Sequence, residues 1–282
     1  MSSVSRICFV ADFFAEHVLG GGELNNEELI ELLRAKGISV VKKRSFEINQ
    51  QYIKDSDEDF IIANFVGLSE ESKLALQQKS RYIIYEHDHK YLTNRNPAYF
   101  KDFIAPKEAI INYEFYEKAN AVFCQSGFHQ KIIQKNLNLD NIQNLGGNLW
   151  NDESLQLMKK FSHRDKKNRC SVMDSNIPHK NTSEAVRYCD FKNLKYELIS
   201  DSNYCSFLEK LGQNDKFVFF PKTPETLSRV VVEARMMGLS VITNNLVGAT
   251  HEPWFEQKGP ELIDTIEAKR EEIPLKVLKA FE

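Results

Sequence analysis

Short β-branched and aromatic runs alternate with longer stretches of helical periodicity along almost the whole chain, and that alternation constrains the fold more than any other feature. Arg6–Phe13, Ile38–Lys43, Asp59–Phe65, Tyr82–Tyr85, Ala121–Gln125 and Ile142–Leu145 read as strands. Helices are expected over Glu23–Lys36, from a Ser69 cap to Gln78, over Lys107–Lys118, and from a Ser126 cap to Asn136. A second series follows, with strands Ser171–Asp174, Tyr196–Ser200, Lys216–Phe220 and Ser240–Thr243 between helices Thr182–Cys189, Tyr204–Leu211 and Ser228–Met237. Nearly continuous apolar strands separated by helices demand a parallel sheet covered on both faces. The expected fold is therefore α/β, with two Rossmann-like doubly wound parallel-sheet domains facing across a cleft. Residues 1–149 form the first domain, 150–262 the second and 263–282 a C-terminal helix that packs back on the first, with Pro274 marking a kink or a fresh helix start.

At 282 residues the chain is long enough for two sizeable cores. A net charge of −3 argues against a protein that coats nucleic acid, so no nucleic-acid partner is expected. No apolar run reaches the length of a membrane span, and Met1–Arg6 leads into the first strand without signal-peptide features. Five cysteines without a CxxC pair read as reduced thiols in a cytoplasmic chain with neither disulfides nor a zinc site. The oligomeric state is not legible.

In doubly wound sheets ligands bind at the carboxyl ends of the strands, so the loops there matter most. Gly20-Gly21-Gly22-Glu23 precedes a helix and reads either as a close-approach anion loop or as a plain flexible helix start. Asn25 stands where a dinucleotide fingerprint needs its third glycine, and no Gly-Lys-Ser/Thr follows. Glu86-His87-Asp88-His89 invites a metal reading, but no third ligand of suitable spacing is evident; one of the two histidines lining the cleft is preferred, with a bland loop as the alternative. In the second half, Glu225 precedes a helix and Glu233 lies about two turns in. Carboxylates there accept from sugar hydroxyls, and the helix's first N–H groups suit phosphate.

Asp55, Asp57, Glu58 and Asp59 read as a solvated turn, and His129, His163, His179 and His251 as exposed. Trp150 and Trp254 read as packing anchors. The polar stretch Leu149–Arg169, with Lys159, Lys160, Arg164, Lys166, Lys167 and Arg169, reads as a solvated inter-domain segment, or as a surface for peripheral contact with an anionic membrane or glycan.

The frame Pro224-Glu225-Thr226-Leu227-Ser228-Arg229-Val230-Val231-Val232-Glu233-Ala234, with Gly238-Leu239-Ser240-Val241-Ile242-Thr243 and Gly248, resembles the E-x7-E segment of retaining GT-B glycosyltransferases of the family 4 type. The likeness is specific over residues 217–252 and loose in the N-terminal half, where Gly21-Gly22-Glu23 and His87 match the family's glycine loop and active-site histidine. It implies metal-independent transfer of a sugar, with retention, from a nucleotide-diphosphate sugar, a co-substrate rather than a cofactor, to a hydroxyl acceptor such as a glycan or glycolipid. By the same likeness His87 and Glu225 are catalytic. Glu233 would hold the ribose, the amides around Leu227 and Ser228 the diphosphate, and Lys180, in Pro178-His179-Lys180-Asn181, a phosphate. The chain departs from the pattern in places. The arginine expected ahead of Lys180 is absent, since Asp174, Ser175 and Asn176 occupy the region, and Ser228 and Asn181 replace glycines. Arg229 is the candidate replacement for that lost cation, and the stretch from Lys180 to Glu225 is short, as if a strand–helix unit had been dropped. Two rivals follow: a degenerate protein that binds a nucleotide or glycan without turnover, and a nucleotide-sugar epimerase.

Overall fold

A computed structural model describes residues 4–79 and 81–282. Two compact units divide the chain, one made of Met1–Leu149 with Lys269–Glu282, the other of Trp150–Ala268.

In the first unit the elements run β1 (Arg6–Ala11), α1 (Gly21–Ala35), β2 (Ser39–Arg44), α2 (Gln50–Asp55), β3 (Asp59–Ile62), α3 (Glu70–Lys79), β4 (Tyr82–Tyr85), α4 (Tyr113–Glu117), β5 (Val122–Cys124), α5 (Gly127–Leu137) and β6 (Ile142–Asn144). The sheet is parallel in the order β2-β1-β3-β4-β5-β6, with Cys8 opposite Val41 on one side and Phe60 on the other. β3 and β4 are buried at every position, as a sheet covered on both faces requires. Leu29, Ile30 and Leu33 of α1 pack on one face. Ile53, Ala75, Leu76, Phe115, Ile133 and Leu137 pack on the other.

The second unit contains α6 (Asp152–Ser162), β7 (Lys167–Met173), α7 (Thr182–Phe191), β8 (Tyr196–Ile199), α8 (Tyr204–Gly212), β9 (Asn214–Phe219), α9 (Arg229–Met236), β10 (Ser240–Thr243) and the first part of α10 (Pro260–Lys279), whose residues from Lys269 on belong to the first unit. Its parallel sheet has the order β10-β9-β7-β8. α6, α8 and α9 bury Leu155, Met158, Leu208, Leu211, Val231 and Val232 against one face. Ala185 and Cys189 of α7 meet Cys170, Val172 and Val218 on the other. α10 divides its side chains: Leu262, Ile263 and Ile266 join this core, while Ile273 and Val277 join the first unit's. It continues past Pro274, which starts no new helix.

Several expectations need correction. Residues 107–118 are not one helix. A 3-10 turn at Lys107–Ala109 is separated from α4 by Asn112, whose φ of 57° is left-handed and stops helix propagation. The segment 149–169 is not a solvated connection. Asn151 caps α6 by accepting from the Ser154 N–H, and Leu155, Met158 and Phe161 recur at helical spacing and are buried. Its basic cluster is largely compensated: Arg164 pairs with Glu209 at 2.8 Å, Arg169 with Glu197 at 2.9 Å, and the Lys166 ammonium donates to the Phe161 and Gly212 carbonyls. The turn at 55–59 is only partly solvated. Glu58 accepts from Tyr52 and Ser56, and Asp59 forms a two-pronged pair with Arg81; both acids are buried. Among the described residues no helix is long and apolar enough to cross a membrane.

Candidate functional site

In the second unit the chain turns outward from β7 to β8 and then returns to the other side of β7 as β9. That reversal separates the loops that follow β7 and β9, and such a switch point is where an open parallel sheet offers space for a ligand. Lys180 ends a 3-10 turn in the first loop, and Glu225 lies in the second. The Lys180 ammonium stands 2.8 Å and 3.0 Å from the two Glu225 carboxylate oxygens. Backbone bonds hold both residues. The Glu225 N–H donates to the Leu246 carbonyl, the Glu225 carbonyl accepts from Gly248, and the Leu227 carbonyl accepts from Ala249. Asn181, left-handed at φ 59°, ties the loops together by donating from Nδ2 to the Phe220 carbonyl.

The start of α9 lies three residues beyond Glu225. Ser228 is its N-cap, with φ 73°, and its side chain makes no capping bond. Its Oγ is buried with no hydrogen-bond partner among the described residues. The position is one that glycine suits. Leu227 is fully buried beneath it. In its first turn the Val231 and Val232 N–H groups both donate to the Ser228 carbonyl.

Glu233 has a different setting. It is 3% exposed, and one oxygen accepts from the Trp150 indole at 2.9 Å and from the Tyr204 hydroxyl at 2.7 Å. Arg229 stacks on Trp150, 4.1 Å from the ring centre, with its guanidinium 3.7 Å from Glu233. Arg229 is thus engaged with Trp150 and Glu233, while Lys180 is the cation beside Glu225. Trp150 and Tyr204 are the partners that the spacing of the two glutamates does not reveal.

In the first unit α1 begins at Gly21, two residues earlier than its apolar pattern suggests. Gly22 faces His87: a Cβ there would lie 3.6 Å from the imidazole Cγ. His87 follows β4 and is held at both nitrogens, by Asn26 of α1 at Nε2 (2.5 Å) and by the Gln125 amide at Nδ1. A donor on Nδ1 leaves the ring proton on Nε2, directed at the Asn26 carbonyl oxygen. Asn25 braces the same region, giving a bond to the Tyr85 hydroxyl and accepting one from the Leu149 N–H. Two buried asparagines in an otherwise amphipathic helix are the signal that sequence reading passes over.

The other members of the 86–89 cluster diverge, because the chain leaves the extended conformation after Glu86 and strand alternation no longer applies. Glu86 is completely buried, receiving Lys90, the Tyr116 hydroxyl and the Asp88 N–H; burial raises its pKa. His89 is buried edge-on to Tyr91 and His129, and neither of its nitrogens has a hydrogen-bond partner among the described residues. His129 is fully buried rather than exposed, with Nε2 2.9 Å from the Asp88 carbonyl oxygen. Among the described residues no three His, Cys, Asp or Glu side chains are grouped to hold a metal ion.

No family model matches the chain, and no curated protein is a significant match. Solved structures are similar. One is an alpha-glucosyltransferase in complex with UDP and a 13-mer DNA containing an HMU base, at 10% identity and TM-score 0.50 over 99% of this chain and 95% of that one. Another, described as trehalose-6-phosphate from E. coli bound with UDP-2-fluoro glucose, has 8% identity and TM-score 0.52 over 98% of this chain and 95% of the other. At such identities the likeness concerns the fold, which is GT-B type with two Rossmann-like units. It also overturns the exclusion of nucleic acid, since the glucosyltransferase with this fold holds DNA. The physical error is that a net charge summed over the chain says nothing about any one surface.

Proposed function

We propose that the chain is a glycosyltransferase that moves a sugar from a nucleotide-diphosphate donor to a hydroxyl acceptor, with retention at the anomeric carbon. The observation that carries this reading is the meeting of Lys180 and Glu225 at the switch point of the second sheet, beside the N-terminus of α9. A cation and helix amides suit a diphosphate, and a carboxylate next to them accepts hydrogen bonds from sugar hydroxyls. As the bond from C1 to the diphosphate oxygen breaks and that to the acceptor oxygen forms, charge grows on the diphosphate. Lys180 and the amides of residues 227–229 offset it, and the acceptor's proton passes to the departing phosphate oxygen. Glu233 addresses the ribose, and the family resemblance gives His87, oriented by Asn26 and Gln125, a catalytic role. The acceptor is a hydroxyl of a glycan, a glycolipid or, as for the DNA-bound neighbour of this fold, a nucleic acid.

Binding without turnover is the second reading, favoured by the enclosure of Glu233 and by the lack of an arginine at 174–176. A thermal-shift series with UDP, GDP, ADP and TDP, followed by assay of nucleoside-diphosphate release from the matching sugar donors, separates the two. Stabilisation with acceptor-dependent release supports transfer. Stabilisation without release supports the binding protein, and a changed sugar without acceptor identifies an epimerase.

A further inference from the structure

The two carboxylate oxygens of Glu233, in α9, have unlike settings. Every side chain that reaches the carboxylate reaches the same atom. Oε1 accepts from the Trp150 indole N–H at 2.9 Å and from the Tyr204 hydroxyl at 2.7 Å, and the Arg229 Nε stands 3.7 Å from it. A carboxylate oxygen offers two lone pairs, so the indole and the hydroxyl together use the acceptor capacity of Oε1. Oε2 has no hydrogen-bond partner among the described residues, and it is not sealed from solvent although the residue is almost wholly enclosed. The groups on Oε1 come from separate parts of the chain: Trp150 lies two residues before α6, Tyr204 opens α8 and Arg229 opens α9. Trp150 is buried, with the Arg229 guanidinium stacked on its ring, so the direction of its N–H is fixed. Any turn of the carboxylate out of its plane breaks both bonds, which leaves one oxygen always on the open side. An enclosed carboxylate oxygen without a donor is costly, and a hydroxyl brought by a ligand removes that cost. Because the direction is set beforehand, the ligand has little ordering of the side chain left to impose.

We propose that Trp150 and Tyr204 are positioning residues: by occupying Oε1 together they hold Glu233 so that Oε2 takes a hydroxyl of the donor's ribose. The assignment rests on the transfer reading above, in which Glu233 addresses the ribose, and it makes these two side chains determinants of the choice between ribose and its deoxygenated forms. Calorimetric titration of the whole chain with UDP, GDP and ADP, each beside its 2′,3′-dideoxy analogue, tests it. The parent should hold each ribonucleotide that binds at least about tenfold more tightly than the dideoxy form. Tyr204→Phe and Trp150→Phe should each cut that ratio about threefold or more, because the released carboxylate no longer presents one oxygen in a fixed direction. General damage to the fold weakens both members of a pair alike and leaves their ratio where it was. A ratio that either folded variant leaves unchanged would therefore overturn the assignment, as would a parent that does not distinguish the two sugars. Tyr204→Phe keeps the ring and removes only the hydroxyl, so it decides the matter where Trp150→Phe does not fold. In those outcomes nucleotide binding survives, and the transferase reading with it. Absence of binding by all three nucleotides would remove that reading and this assignment together.

Discussion

Lys180 and Glu225, 45 residues apart in sequence, form a two-pronged ion pair between the loops that follow β7 and β9. Removing one partner leaves the other part-buried and uncompensated, at a cost of about 1–3 kcal/mol. Glu225→Gln should lower kcat/KM about a hundredfold while nucleoside-diphosphate binding stays within about threefold. Lys180→Met should weaken that binding about tenfold or more. Steady-state kinetics and calorimetry on the two variants check both, and unchanged turnover in the Glu225 variant would remove that residue from the site.

Ser228 combines a left-handed backbone with a buried hydroxyl that finds no partner among the described residues. Glycine at this position relieves both burdens. Ser228→Gly is therefore expected to raise unfolding free energy by about 1 kcal/mol, measured by urea denaturation. A lower midpoint would mean that the hydroxyl contributes a bond formed with ligand or solvent.

Gly22→Ala separates a packing role from a ligand role. Its new methyl would meet His87 at ordinary contact distance, so the fold should lose nothing and gain up to about 0.5 kcal/mol from the alanine. Turnover should nonetheless fall about tenfold, because the methyl covers the approach to His87. Unchanged kinetics with unchanged stability would identify the loop as a plain helix start.

The buried histidines predict acid lability. Burial pushes His129 down to about 3 and His89 well below its ordinary value, with Lys90 adding to the effect at both. The unfolded chain protonates each near pH 6.5, so below that pH it binds more protons than the folded one. Their contribution is complete above pH 6.5 and is lost on acidification, by about 1.4 kcal/mol per pH unit for each ring. Glu86, raised by burial, acts in the opposite direction. Urea midpoints should fall steeply from pH 6.5 to 4.5, and His129→Gln should flatten that slope. His89→Phe should do the same and raise neutral-pH stability by about 1 kcal/mol, since it keeps the edge contacts with Tyr91 and His129 and removes two unpaired nitrogens. A pH profile that neither substitution alters would show that these rings do not govern acid unfolding.

The alternation of strands and helices is legible because each strand of a covered parallel sheet must be apolar throughout, and β3 and β4 are. α6 is legible in the spacing of Leu155, Met158 and Phe161, which the neighbouring lysines and arginines mask. The break at Asn112 was not legible, since an asparagine inside a helical pattern carries no sign of its left-handed φ. At the candidate site the resemblance selects Lys180 and Glu225 one at a time, and only the order of the strands brings them within bonding distance. The settings of Glu86, His89 and His129 were hidden for a related reason. Each polar side chain is enclosed by residues from other elements, and local hydrophilicity in the chain gives no measure of that enclosure.

The division of α10 has a consequence for biosynthesis. Ile273 and Val277 are wholly enclosed in the core of a unit whose other residues are translated more than a hundred positions earlier. Each completes about 1.5–3 kcal/mol of apolar burial. The six-stranded half therefore leaves the ribosome with a hole in one face, and it closes only when residues 269–282 arrive. Shortening the protein at position 268 should accordingly damage the half that was made first.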